Sequence, residues 1–263
     1  MKLGWIYRFD LWVVFLLTIA FFVAAIEVGF RFGKRAHTKV PASAQSHIGS
    51  LEAAVLGVLA LMLGFSFAMA LSRYDNRKDM VLAEANAIGT AYLRAQLLPP
   101  PHNEEIQKLL RQYVDVRIDF YGIGVDDTGV REASEKTERL HKQIWSHAID
   151  LSAENLRPEV VRLFIESINE VIDLHEKRSA AMRDHVPPTV FLILYTVAAI
   201  GFGFVGYGSG LSGHRHLIVS LFVVILISTV ITLIADLDRP RRGLIKVSQQ
   251  SLLDLRQSLE KAK

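Results

Sequence analysis

A chain of 263 residues that is 51% hydrophobic yet 22% charged, with a mean hydropathy of +0.27, must segregate its apolar residues into blocks, which excludes an ordinary soluble globule. Its 30 basic and 27 acidic side chains leave a net charge of +3, too near balance for a nucleic-acid binder. Having no cysteine, it has no disulfide, thiolate zinc site or cysteine nucleophile.

Four apolar blocks reach the ~20 residues needed to cross a bilayer. The first spans residues 11–30, with Glu27 as its only charge. A signal peptide is the alternative, since Lys2 and Arg8 precede the block and Ala24-Ala25 offers a cleavage site, but the apolar run is too long for one. Glu27 lies near the outer end, where it can extend to the interface. The second block, 51–71, mixes small residues with large apolar ones. Small residues let helices approach closely in lipid. Glu52, Leu56, Leu59, Leu63 and Phe67 fall on one helical stripe of this block. Around a shared axis, Leu56, Leu59, Leu63 and Phe67 would form an apolar constriction that gates by dewetting, and Glu52 a carboxylate ring at the outer mouth that favours cations. The plainer readings are packing for the stripe and, for Glu52, an interfacial position facing water or a basic loop residue such as Lys39.

Residues 72–187 form a polar insert with helical periodicity. A helix continues from the second span through Asp75 to Leu98. Glu84, Asn86 and Thr90 on it are candidates to line a wet vestibule, or else bond between helices. Ile106, Leu110, Tyr113 and Val114 share one helix face, and Phe164, Ile168 and Val171 another. Leu140, Ile144, Ala148 and Leu151 make a weaker third case. Breaks fall at Pro99-Pro100-Pro101, between Gly122 and Gly129, and near Pro158.

The C-terminal membrane part, 188–236, holds spans 188–210 and 217–236. Gly206 and Gly210 give a GxxxG spacing for close helix contact. The fourth span ends in Asp236 and Asp238, which oppose the helix dipole unless paired. Arg239, or Arg73 and Arg77 on the same side, are available partners for an ion-pair latch to the tail, residues 237–263; a basic anchor on anionic lipid is the alternative.

Twelve basic residues flank the spans on one side (Lys2, Arg8, Arg73, Arg77, Lys78, Lys177, Arg178, Arg183, Arg239, Arg241, Arg242 and Lys246) against five on the other (Arg31, Lys34, Arg35, Lys39 and Arg215). Both termini and the insert are therefore expected in the cytoplasm of a multi-pass cell-membrane protein.

The layout, together with Gly64-Phe65-Ser66-Phe67, Arg73-Tyr74-Asp75, Glu84-Ala85-Asn86-Ala87-Ile88-Gly89-Thr90-Ala91, Asp173-Leu174-His175-Glu176 and Asp236-Leu237-Asp238-Arg239-Pro240, resembles a mostly bacterial group described as bestrophin-like. The resemblance implies an all-α membrane protein with four transmembrane helices and a helical cytosolic insert. It also implies a homo-oligomer, a pentamer in bestrophins, in which the second spans line a central pore for inorganic ions. No acidic calcium clasp matches that of animal bestrophins. The alternative is a non-conducting sensor or scaffold in the bilayer whose insert binds a ligand or protein partner.

No catalytic constellation stands out. His214 and His216 flank Arg215 in a short loop, without the ligands of a metal site. His175-Glu176 lacks the zinc-protease spacing, and the glycines of the third span follow no strand. No cofactor is implied.

Overall fold

The computed structural model describes residues 9–37, 41–122, 127–154 and 157–261, and of residues 42–46 and 127 only the backbone. Lys2, Arg8 and Lys39 lie outside the described residues. Among those described there are eight α-helices and no strand: α1 Leu11–Ala36, α2 Ala42–Ala95, α3 His102–Gly122, α4 Asp127–Glu154, α5 Pro158–Arg183, α6 Pro188–Ser212, α7 Leu217–Leu237 and α8 Gln250–Lys261. Four of them, α1, α2, α6 and α7, carry apolar stretches long enough to cross a membrane. The boundaries follow local chemistry. Pro158 and Pro188 open α5 and α6 at the first turn, where the missing N–H costs nothing. Gly213 ends α6 at φ 72°, a left-handed conformation that suits glycine.

The chain forms two compact units. The first comprises residues up to Arg73, His185–Arg239 and Gly243–Ile245, and so holds α1, the first part of α2, α6 and α7. The α1–α6 seam is its tightest contact. A Cβ on Gly29 would overlap the Gly203 carbonyl oxygen, and one on Gly206 the Ile26 carbonyl oxygen. Only glycine permits so close an approach of two backbones. The contacts Gly29–Gly203 and Gly33–Tyr207 advance together along both helices, so α1 and α6 run parallel.

The second unit comprises Tyr74–Asp184, Pro240–Arg242 and Lys246–Lys263. Its core is built from the later part of α2 with α3, α4, α5 and α8. Ile106, Leu110, Tyr113 and Val114 are buried on α3, as are Phe164, Ile168 and Val171 on α5. Leu140, Ile144, Ala148 and Leu151, the weakest pattern in the sequence, are all buried too. The tail forms α8 and buries Leu252 and Leu259 in this core.

Candidate functional site

The helix α2 is 54 residues long, about 80 Å at 1.5 Å per residue, far more than the ~30 Å of a hydrocarbon core. Its apolar run ends at Leu71, and charged residues follow from Arg73. Two stripes run along it on opposite sides. Within the first unit Leu59, Leu63, Ser66 and Ala70 are buried. Within the second, Arg77, Val81, Glu84, Ile88 and Ala95 are. The other stripe is exposed. It carries Ala54, Gly57, Leu61, Phe65 and Ala68, then Asp75, Asp79, Leu82, Asn86, Thr90 and Leu93.

Of the four side chains expected at a constriction, two are buried: Leu59 is 0% and Leu63 5% exposed, so both pack inside the first unit. Leu56 and Phe67 are half-buried, and the Leu56 side chain packs against Gly201 of α6. The most exposed large apolar side chains here are Leu61, 61% exposed, and Phe65, 67% exposed, one turn apart, with Val58 on the same face. The reason is packing: Leu59 and Leu63 fill the space beside neighbouring helices, and the outward face is left with glycine, alanine and these three side chains.

Glu52 also faces its own subunit. Its Oε2 lies 3.6 Å from where a Cβ on Gly208 would sit, and it opens on a pocket of about 430 Å³ with Ser209, Ser212 and His216. Glu27 is clamped by two arginines: Arg31 Nε donates to Oε1 at 2.9 Å and Arg215 Nη1 to Oε2 at 3.1 Å. The Arg215 guanidinium also lies 4.1 Å over the Phe30 ring.

Of the vestibule candidates, Asn86 and Thr90 are exposed on one face. Glu84 is not; it is fully buried at the centre of the second unit. Tyr113 Oη and Arg117 Nε each donate to its Oε1 at 2.8 Å, and Arg178 Nη1 donates to Oε2. Arg178 Nη2 reaches on to the Gln249 side-chain oxygen, next to α8. Burial pushes the Glu84 carboxyl up, but Arg117 and Arg178, with the Tyr113 hydrogen bond, outweigh it and hold it at about 2. Two guanidinium groups thus surround one carboxylate, an arrangement costly to bury and costlier to break. Two histidines adjoin it. The His141 ring lies tilted 5.0 Å from the Tyr113 ring and edge-on 5.2 Å from that of His175. Burial, reinforced by Arg117, lowers both imidazoles to about 4, so both are neutral. His141 Nε2 and His175 Nδ1 are buried without a hydrogen-bond partner. In sequence these groups lie as far apart as residues 84 and 178; helical periodicity puts Tyr113 on a core face, but no local pattern marks the pairing.

At the latch, Arg77 is buried and caps the end of α5: its Nε donates to the Ala181 carbonyl at 3.1 Å and Nη2 to the Asp184 carbonyl at 2.6 Å. Asp236 accepts the backbone N–H groups of Leu244 and Ile245, both at 3.0 Å. Asp238 accepts the Val186 N–H with both oxygens at 3.0 Å. Acids at a helix C-terminus are thereby balanced by backbone donors. Gly243, at φ 117°, passes so close to Asp236 that a Cβ would overlap its carboxylate. Arg73 is half-buried and Arg239 buried.

The family model for the Bestrophin-like domain matches residues 20–252. The fold is similar to the crystal structure of a bacterial Bestrophin homolog from Klebsiella pneumoniae, at 17% identity over 95% of this chain and 97% of that one, with a TM-score of 0.64. A mutant of that homolog gives 16% identity, 95% and 98% coverage and a TM-score of 0.65. No curated protein matches.

Proposed function

The chain belongs to the Bestrophin-like family, and from that premise we propose that it is an oligomeric, cation-leaning ion channel whose α2 helices surround a central pore. The observation that carries the reading is the exposed stripe of α2. Eighteen residues are five turns at 3.6 residues per turn, so Gly57 and Asp75, Leu61 and Asp79, and Ala68 and Asn86 share an azimuth along the helix. A face left open from Ala54 to Leu93, opposite a face packed from Leu59 to Ala95, is what a helix around a common axis presents. Leu82 and Leu93, exposed beyond the apolar run, would be unfavourable in water, which supports other copies of the chain surrounding this face.

On this reading Leu61 and Phe65 form the apolar neck, in place of Leu63 and Phe67. Asp75 and Asp79, one turn apart and exposed, form two acidic rings below it, which takes the cation preference from Glu52. Asn86 and Thr90 line the vestibule farther along. Both termini and the second unit lie in the cytoplasm, as the basic residues favour. The parallel course of α1 and α6 fits four spans, because helices separated by one return crossing must run the same way, while the side rests on the basic residues alone.

Full-length protein in liposomes under sodium and chloride gradients tests the assignment. Cation-selective flux is expected, with Phe65→Ala raising the flux and Asp75→Asn combined with Asp79→Asn moving the reversal potential toward zero. Reversal potentials unchanged in that double variant would remove the acidic rings; no flux under any gradient would remove the channel.

A further inference from the structure

A groove runs along one side of the α1–α6 seam. It encloses about 590 Å³ and is walled by Phe21, Val28 and Phe32 of α1 and Ile200 and Phe204 of α6. Gly203 lines it too, and a Cβ there would meet nothing within 4 Å. From Phe21 to Phe32 the wall extends about 17 Å along the helix axis, slightly more than the ~15 Å depth of one leaflet. The lining is apolar except at one end. There Tyr207 lies level with Gly33, one residue beyond Phe32. Arg35 follows Phe32 by three positions and Val28 by seven, so it continues the stripe that walls the groove, and it is exposed. An apolar slot within the membrane part thus ends in a tyrosine and a guanidinium.

We propose that this groove holds one acyl chain of an anionic phospholipid, whose phosphate is bound by Arg35 beside Tyr207. Two features select this occupant over a helix of a second copy. The length suits an acyl chain. The charges lie at one end, where a headgroup would be: Arg35 is closest in helical phase to the groove, with Arg31 and Lys34 nearby on α1, and guanidinium binds phosphate in bidentate fashion. A basic group next to an apolar slot also favours anionic over zwitterionic lipid.

The test uses the full-length assembly, delipidated in detergent and incubated with vesicles of phosphatidylglycerol or phosphatidylethanolamine, with bound lipid counted by native mass spectrometry. Phosphatidylglycerol is expected to remain bound to the wild type. Gly203→Leu, whose Cβ meets no neighbour, puts a side chain into the slot and lowers retention of both lipids by about tenfold or more. Arg35→Gln keeps a bound lipid but loses the preference for phosphatidylglycerol. Equal retention by wild type and Gly203→Leu overturns the site, and so does an unchanged lipid preference in Arg35→Gln. A Val28→Cys probe separates lipid from protein: maleimide labelling blocked in the delipidated assembly and restored when the subunits dissociate means that a second copy occupies the groove, and the proposal fails. Labelling that is open after delipidation and protected by added phosphatidylglycerol supports it.

Discussion

Acid should destabilise the second unit through His141 and His175 well before it reaches Glu84. Both histidines titrate near 6.5 in an unfolded chain and at about 4 in the folded one. The groups around them explain the depression: apolar core from α3, α4 and α5, the Arg117 and Arg178 guanidinium groups, and only Glu84 as a counter-charge. A histidine whose pKa falls on folding binds more protons unfolded, so stability is lost as pH falls from 6.5 toward 4. At pH 5 each unfolded imidazole is almost fully protonated and each folded one almost fully neutral, a difference of about 2 kcal/mol per histidine. Two of them give about 4 kcal/mol, a large part of the roughly 5–15 kcal/mol that holds a domain together. Their proximity at 5.2 Å makes the second protonation of the folded state harder still. Carboxylates paired in the fold lose their contribution only at lower pH; Glu84 does so between its ordinary 4.5 and about 2. Thermal unfolding of the detergent-solubilised protein, followed by circular dichroism from pH 8 to 5, should show Tm falling by roughly 10 °C. His141→Gln combined with His175→Gln should flatten that slope whatever it does to Tm at pH 8. A Tm that does not move between pH 7 and 5, or an equal slope in the double variant, would refute the burial argument.

Two further substitutions test packing and charge. Gly206→Ala drives a methyl group into the Ile26 backbone and should cost about 3 kcal/mol or more, while Gly203→Ala, which meets nothing within 4 Å, should leave Tm within about 1 °C of wild type. Glu84→Gln leaves Arg117 and Arg178 buried without their carboxylate and should cost about 3–5 kcal/mol, read as a lowered Tm, with Arg178→Met in the same background recovering part of it; an unchanged Tm in the single variant would mean that water already solvates the pair.

Much of the architecture was legible in the sequence. Bilayer thickness fixes a minimum apolar length, and four runs met it. The insert's helices announced themselves because one face had to be apolar and the other wet, even for Leu140, Ile144, Ala148 and Leu151, where few matches were visible. The orientation of α2 was less legible for a physical reason. Inside lipid every face of a helix may be apolar, so Leu59, Leu63, Leu61 and Phe65 look alike, and a stripe of leucines marks packing as well as it marks a pore. The tail helix was hidden by its length: 12 residues with Leu252 and Leu259 as core contacts give too few periods to read. Glu84 looked like a vestibule residue because its partners Arg117 and Arg178 come from helices far along the chain, and no local pattern reports a long-range ion pair.

A signal that resolves the α2 ambiguity does exist in the sequence, outside the membrane. Past Leu71 the helix enters a region where polar and apolar faces must separate, and there Val81, Ile88 and Ala95 lie opposite Asp75, Asp79 and Asn86. Since the helix is uninterrupted, this phase can be carried back five turns into the apolar run. It assigns Leu63 to the azimuth of Val81, and Leu61 to that of Asp79. The burial of Leu63 and the exposure of Leu61 agree with that assignment. For a helix that leaves lipid without a break, the aqueous segment therefore holds the information about which membrane face is packed. A pore assigned from the membrane segment alone selects the bulkiest stripe, whereas the aqueous segment selects the stripe that no neighbour in the subunit covers.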